Sequence, residues 1–295
     1  MGRGTTRKKL NIFNVPTYVI NMKERPDRWT RFTQQPAVHT LKNIRHVKGI
    51  NGKKLKYKKD KRISVGTRLN IFRNYRRSHY EVATLGAVGC SLSHIDAWKK
   101  FIQTGSRYCF IMEDDAILTE STLENINKLI PTLPKNWGIW ILGCYKPNLV
   151  YKEYDAKPWY QVYKFTASHA YLLTREAALR LLADAFPIES HIDHYMGNVS
   201  ILNDTLLVYH PDMHVEFFQK EKVLNSQSTM VDSNTSQHKP SGCPVCKIPD
   251  NLSHLYVNPS ISTKEGVRVT SIVRDEQPKK IIKLKTETRK KKYKV

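Results

Sequence analysis

Acidic residues are scarce in this chain: 26 Asp and Glu stand against 49 Lys and Arg in 295 residues, a formal net charge of +23. Cysteine is scarcer still. Five scattered thiols do not make the disulfide framework of a small secreted scaffold. Only Cys243 and Cys246 have ligand-like spacing. They read as two ordinary thiols in a tail, or as half of a zinc set that His238 and His254 would complete. No apolar run approaches the roughly 20 residues that a membrane helix needs, and Ile139–Leu142 is among the longest. The first residues are basic but lack the apolar centre of a secretory signal. Together these absences lead to the expectation of a soluble protein in a reducing, cytoplasmic compartment. The sequons at Asn198, Asn203, Asn234 and Asn251 are then expected to be idle.

What is present is unevenly placed. Residues 1–80 hold 22 Lys and Arg against 3 acids, residues 81–224 hold 13 against 17, and residues 225–295 hold 14 against 6. A slightly acidic middle is thus flanked by basic segments, including Lys53–Arg62 and the terminal Arg289–Lys292. Such flanks suit contact with a polyanion: nucleic acid, an acidic membrane surface or a nucleotide phosphate. They equally suit a solvated, lysine-rich surface.

The length allows one large domain or two small ones. Pro16–Asn21 reads as a buried opening strand, followed by a turn into a helix with Pro26 and Asp27 in its first turn. A second strand is expected at Ile44–Val47. Leu92, Ile95, Trp98 and Ile102 have helical spacing, with Ser91 or Ser93 as a cap and Gly105 as the stop. Strands follow at Tyr108–Met112 and Trp137–Leu142, with a helix between them at Ser121–Ile130. One or two strands are expected within Tyr163–Leu173. Helices are expected at Thr174–Ala185 and His191–Leu202, and a last strand at Leu206–Tyr209. Beyond about residue 230 the text turns polar and then lysine-rich, the composition of a disordered tail. This divides the chain into a basic tail at 1–13, a domain at 14–230 and a tail at 231–295. Alternating strands and helices argue an α/β fold with a central, mostly parallel sheet.

Against the basic background, Glu113-Asp114-Asp115 stands out at the carboxyl end of a strand, where α/β sheets bind ligands. In extended backbone Glu113 and Asp115 share one face and Asp114 takes the other. Two acids so spaced suit Mg²⁺ or Mn²⁺, whose shells are completed by phosphate and water. A basic side chain, or a helix N-terminus that favours acids, is the alternative account.

Five blocks in order then carry a resemblance: YVINMKERPDR (18–28), GAVGCSLSHIDAW (86–98), FIMEDDAIL (110–118), SHAYLLTREAALRLL (168–182) and HIDHYMG (191–197). The sequence resembles glycosyltransferase family 25, which includes lipopolysaccharide and procollagen galactosyltransferases. The resemblance implies a GT-A, Rossmann-like domain, a UDP-sugar donor, Mn²⁺ or Mg²⁺, and inversion at the anomeric carbon. It implies a hexose, galactose or glucose, moved to a glycan or hydroxylated-protein acceptor, and it suits a bacterial or virus-infected cytoplasm. Carried onto this sequence, it makes Asp115 and Glu113 metal ligands and sets Asp114 near metal-bound water or the ribose. Tyr18 and Asn21 would seat the base, Arg25 and Arg28 would meet phosphate oxygens, and Ser93 and His94 would touch the sugar or ribose. Asp193 would be the general base, with His191 or His194 assisting. His210, Pro211, Gln219, Ser226 and Ser228 resemble a loop closing the donor site. Blander readings stand beside these: surface charges for the arginines, a structural histidine at His94, and a helix cap at Asp193. Three rivals remain at this level. A nucleic-acid-binding protein accounts for the basic flanks but not for the acidic centre. A glycoside hydrolase would use paired carboxylates without a metal. An inactive family member would retain the fold alone.

Overall fold

The computed structural model describes residues 10–75, 81–145, 150–154, 158–202 and 205–218. In chain order the elements are β1 (Thr17–Met22), α1 (Pro26–Thr33), α2 (Pro36–His39), β2 (Ile44–Gly49), α3 (Val65–Arg73) and α4 (Leu85–Gln103). Next come β3 (Tyr108–Glu113), β4 (Ala116–Ile117), α5 (Glu120–Leu129), β5 (Trp137–Gly143), β6 (Val150–Glu153) and β7 (Tyr160–Lys164). The chain continues through β8 (Ala170–Thr174), α6 (Arg175–Ala183), α7 (Ile192–Leu202), β9 (Leu206–Tyr209) and β10 (Glu216–Phe217). No helix among the described residues is long and apolar enough to cross a membrane.

Eight strands form one sheet in the order β2-β1-β3-β8-β5-β9-β7-β6, and β4 pairs with β10 separately. The fold is α/β, as the alternation of elements predicts, and the sheet is mixed. β2, β1 and β3 run parallel, as do β5 and β9. β8 lies antiparallel between β3 and β5, and β7 and β6 are antiparallel at the far edge. The α/β fold with its large central sheet is the expected one, and β8 adds antiparallel pairings that its own sequence does not announce.

Strand alternation sorts the core into two layers. Tyr18, Ile20, Cys109, Ile111, Ile139, Ile141, Tyr171 and Leu173 face α4, α6 and α7. Val19, Phe110, Met112, Trp140, Leu142 and Leu172 face α1, α2 and α5. Each large apolar side chain so buried contributes about 1.5–3 kcal/mol. Ile12 is fully buried in the second layer, and its N–H donates to Asn127 Oδ1 at 2.9 Å. The packed domain therefore begins before residue 14, so residues 10–13 are not tail. The boundary expected near 230, the cysteine pair at 243 and 246, and the basic C-terminus lie outside the described residues.

Two helix termini match and one does not. α1 has Pro26 at its start and Asp27 in its first turn. Gly105, at φ 72°, closes the turn after α4, as its freedom in the left-handed region allows. The start of α4 is a correction: Thr84 caps it, with Oγ1 accepting from Ala87 N at 3.2 Å, and Ser91 and Ser93 are well inside. The first two turns carry Gly86 and Gly89, which look unfavourable for a helix in sequence. Gly89 is required for packing: a Cβ there would stand 2.4 Å from Ile50 O, and from the loop side one at Gly52 would stand 1.6 Å from Leu85 O. Helix and loop thus meet backbone to backbone.

This contact gives a test. Gly89→Ala should destabilise the protein by about 1–3 kcal/mol, the usual cost of overpacking, or ~2–12 °C in thermal midpoint. Gly66→Ala, whose new methyl would meet only Ser64 Oγ at 3.8 Å, should hold or slightly raise the midpoint. Equal midpoints for the two variants would contradict the close approach.

Candidate active site

The carboxyl end of β3 sets the site. Glu113 N donates to His169 O at 2.9 Å and Asp114 N donates to Ile20 O at 3.1 Å, so the acids stay within the sheet's hydrogen-bonding frame. Alternation sends Glu113 toward α4, while Asp114 lies on the α1 side. There Arg28, from the first turn of α1, reaches back over the strand ends. Its Nη2 lies 2.6 Å from Asp114 Oδ1 and 2.5 Å from Asp115 Oδ2. Asn21 Nδ2 donates to Asp114 Oδ2 at 2.6 Å and to Arg25 O at 2.9 Å, tying the turn before α1 to the acids. The sequence pairs Glu113 with Asp115. The structure instead joins Asp114 and Asp115 through Arg28, because the chain turns after Glu113 and strict alternation ends there.

Glu113 has different company. His94 Nε2 stands 3.5 Å from its Oε1, and Ser168 Oγ lies at the same distance. His94 Nδ1 is 2.9 Å from the Tyr171 hydroxyl, which accepts from Trp98 Nε1 at 2.8 Å. His94 Nε2 is buried without a hydrogen-bond partner, and so is Asp115 Oδ1.

The charges divide unequally. Burial pushes Asp114 up to about 6, although Arg28 and the Asn21 hydrogen bond oppose the rise. Asp115 is also raised, by burial and then by the neighbouring charge of Glu113. For Glu113, burial acts upward, but His94, His169 and Arg28 outweigh it and hold the group below the ordinary range. Glu113 is thus the one of the three whose surroundings favour the ionised form. Arg28 stays charged because the three carboxylates outweigh its burial.

The other expected residues divide into those at the cleft and those away from it. Arg25, Arg28, Ser93, His94, Glu113 and Asp114 line a cleft, together with Ile20, Met22, Lys53 and Cys90. Arg25 is paired on its surface side with Asp27 at 2.8 Å. Ser93 is held structurally: its Oγ donates to Gly89 O at 2.7 Å and accepts from Ile50 N at 2.8 Å. Tyr18 is a correction. It is buried on the α4 face against Phe101, at the start of β1 and four residues short of its end, and Ile20 and Met22 take the cleft instead. Asp193 sits in the first turn of α7. Its Oδ2 accepts from Ala167 N and its Oδ1 from His194 N, each at 2.8 Å. Ala167 has φ 65°, a left-handed conformation costly for a residue with a Cβ, and the Asp193 bond holds that turn. His191 and His194 lie with rings 6.2 Å apart, and no third ligand joins them among the described residues. His210 is buried against Trp159. Gln219, Ser226 and Ser228 lie outside the described residues. The chain nevertheless reaches the acids at its last described residue, where Phe218 N donates to Asp115 O at 2.9 Å.

Two residues escaped the sequence reading. His169 is buried, donates Nε2–H to Val215 O at 2.8 Å, and acts on both Glu113 and Asp115. Gly143 makes its space, since a Cβ there would stand 2.2 Å from the ring. Cys90 lies on the cleft wall one turn before His94, and that i, i+4 spacing was the available signal.

Comparison with known proteins adds family information. The family model described as glycosyltransferase family 25 (LPS biosynthesis protein) matches residues 14–196. A protein of Anopheles gambiae described as a glycosyltransferase 25 family member is 27% identical over 111 residues, covering 37% of this chain. That match spans 17% of the relative's own length. Among solved structures, a putative glucose-1-phosphate thymidylyltransferase from Bacillus anthracis aligns at TM-score 0.33 and 11% identity, over 76% of each chain. A mannose-1-phosphate geranyltransferase from Thermus thermophilus aligns at TM-score 0.32 and 7% identity, over 69% of this chain and 75% of that one.

The arginine bridge is directly testable. Arg28→Met leaves buried acids uncompensated and should cost about 3 kcal/mol at neutral pH. In the variant the carboxyls bind protons more tightly folded than unfolded, so stability rises as pH falls through their raised range. The deficit in urea midpoint should therefore shrink between pH 7 and 5. A deficit independent of pH would remove the electrostatic explanation.

Proposed function

Because the chain belongs to glycosyltransferase family 25, we propose that it is a metal-dependent, inverting transferase acting on a UDP-sugar. The sugar moved is a hexose, galactose or glucose, and the acceptor is a hydroxyl of a glycan or protein. One observation carries the reading: three carboxylates at a buried strand end, with a guanidinium over two of them and one oxygen, Asp115 Oδ1, lacking a partner.

The donor set fits the cation. Carboxylate oxygens beside a phosphate-sized cleft suit Mn²⁺ or Mg²⁺, and in this reading Asp115 and Glu113 would hold it. Bound there, a divalent cation supplies Lewis-acid stabilisation of the charge on the departing diphosphate. The chain's own residues do the rest. Arg28 exchanges part of its contact with the aspartates for phosphate oxygens, and Arg25 and Lys53 line the same cleft. Asn21 fixes Asp114, so that carboxylate keeps its place as the charges redistribute. Ser93 holds the 50–52 loop as one wall, and His94 orients Glu113. Inversion requires the acceptor hydroxyl to attack from the side opposite the leaving diphosphate, with its proton taken by a carboxylate. Asp193 is that base. Two backbone N–H bonds orient its carboxylate, and a lone pair on each oxygen remains beyond them.

Thermal midpoints with UDP, with and without Mn²⁺, test the donor site. At 100 times the dissociation constant, ligand adds about 2.7 kcal/mol, or ~5–10 °C at roughly 2–4 °C per kcal/mol. Wild type should shift fully only with both components, and Asp115→Asn should not. No shift under any combination would sink the donor reading. Asp193→Asn should keep the shift and lose about 10²–10⁴-fold in transfer, the usual worth of a general base. Transfer at the wild-type rate would reduce Asp193 to the residue that holds the Ala167 turn.

A further inference from the structure

The wall of the cleft opposite Arg28 carries a second constellation that the transferase reading does not use. Cys90 and His94 are four residues apart on α4 and therefore share a face. Glu113 meets them from the end of β3. One ligand atom from each of the three lies within 4.8 Å of the others. We infer that Cys90, His94 and Glu113 form a separate metal site of softer character, one that takes Zn²⁺.

Four observations carry the inference. Bonds of ~2.0–2.3 Å in a tetrahedron put neighbouring ligand atoms roughly 3.5 Å apart, a small adjustment for three atoms that lie within 4.8 Å of one another. His94 Nε2 and Glu113 Oε1 already stand 3.5 Å apart. His94 Nε2 is buried and has no hydrogen-bond partner, although the ring is fully enclosed. The ring's other nitrogen is held by Tyr171, itself fixed by Trp98, which is the outer support that metal-binding imidazoles have. With Nε2 on a metal, Nδ1 carries the hydrogen and donates to the Tyr171 oxygen.

The donor chemistry separates this site from the one proposed for the diphosphate. Thiolate and imidazole favour zinc and disfavour Mg²⁺ and Mn²⁺, which take oxygen. Three protein ligands leave the fourth position open to water or to an incoming group. Occupation has a consequence that rests on the donor reading, because Glu113 is common to both sites. Zinc on Cys90 and His94 withdraws Glu113 from the diphosphate metal and so inhibits transfer.

Co²⁺ titration of the full chain tests this, since Co²⁺ reports zinc-type sites spectroscopically. The background should be Cys243→Ser/Cys246→Ser, which removes that pair's own thiolate bands. The expected result is a near-ultraviolet thiolate-to-cobalt charge-transfer band with intense visible bands, displaced by one equivalent of Zn²⁺. Cys90→Ser should abolish the charge-transfer band, and His94→Asn should weaken Co²⁺ binding about tenfold or more. Asp115→Asn should leave the band intact. A charge-transfer band that survives Cys90→Ser overturns the assignment, as does a wild-type spectrum without one. The two readings fail separately: a normal cobalt spectrum with no UDP and Mn²⁺ shift sinks only the donor site. Cys90→Ser retaining that shift establishes that the variant is folded.

Discussion

Three adjacent carboxylates at the buried end of a central strand are tolerable only if positive charge reaches them, and Arg28 is the side chain that does so at ion-pair distance. Much of the first third of the chain is arranged around that requirement. Asn21 ties the turn before α1 to Asp114, so the helix that carries Arg28 starts at a fixed distance from the acids. Pro26 and Asp27 begin that helix where the guanidinium can arch back over the strand. On the other face, His94 and its Tyr171 and Trp98 support give Glu113 a separate environment. The result is a graded cluster, in which the surroundings of Glu113 favour its ionised form and Asp114 and Asp115 depend on the arginine.

The parts of this that were legible in the sequence are those governed by local chemistry. Apolar runs bounded by Gly105 and the acids identified β3, and Thr174 followed by good helix formers identified α6, whose cap in the structure is Thr174. The acids themselves were conspicuous because acid is rare. What was missed depends on three-dimensional neighbours. Glycine in the first turns of α4 masked its true start, and at Gly89 its purpose is contact with Ile50 and Gly52 rather than helix propensity. β8's direction is fixed by β3 and β5, not by its own residues. Tyr18 belongs to an aromatic β-strand pattern that serves a binding surface and a core equally well, and only its distance from the strand end decides. Ile12, inside a basic opening segment, looked like tail, but one buried isoleucine and one hydrogen bond to Asn127 join it to the domain.

Family membership and geometry meet at the cleft from independent directions. The matched residues 14–196 contain every side chain that lines it. The curated relative shares only a minor part of its length with this chain, so the proposed donor and metal lean on the arrangement of Arg28, Asn21 and the acids. Cys90 shows how close two chemistries lie: Glu113 has the carboxylates of Asp114 and Asp115 next to it in the chain, and the sulfur of Cys90 and the imidazole of His94 across from it.

The antiparallel insertion of β8 also orders events during synthesis. β3 pairs with β1 on one side as soon as residues up to 113 have emerged, but its other edge waits for Ala170–Thr174. Until then a strand of Cys109, Phe110, Ile111 and Met112 presents a bare apolar edge, the kind of surface that recruits foreign strands. The same delay leaves Glu113 N without His169 O. A nascent or truncated chain ending before residue 170 therefore has the acids and their arginine but no closed sheet beneath them. Closure of the sheet beside the acids and protection of that edge arrive together, with one five-residue strand and the histidine before it.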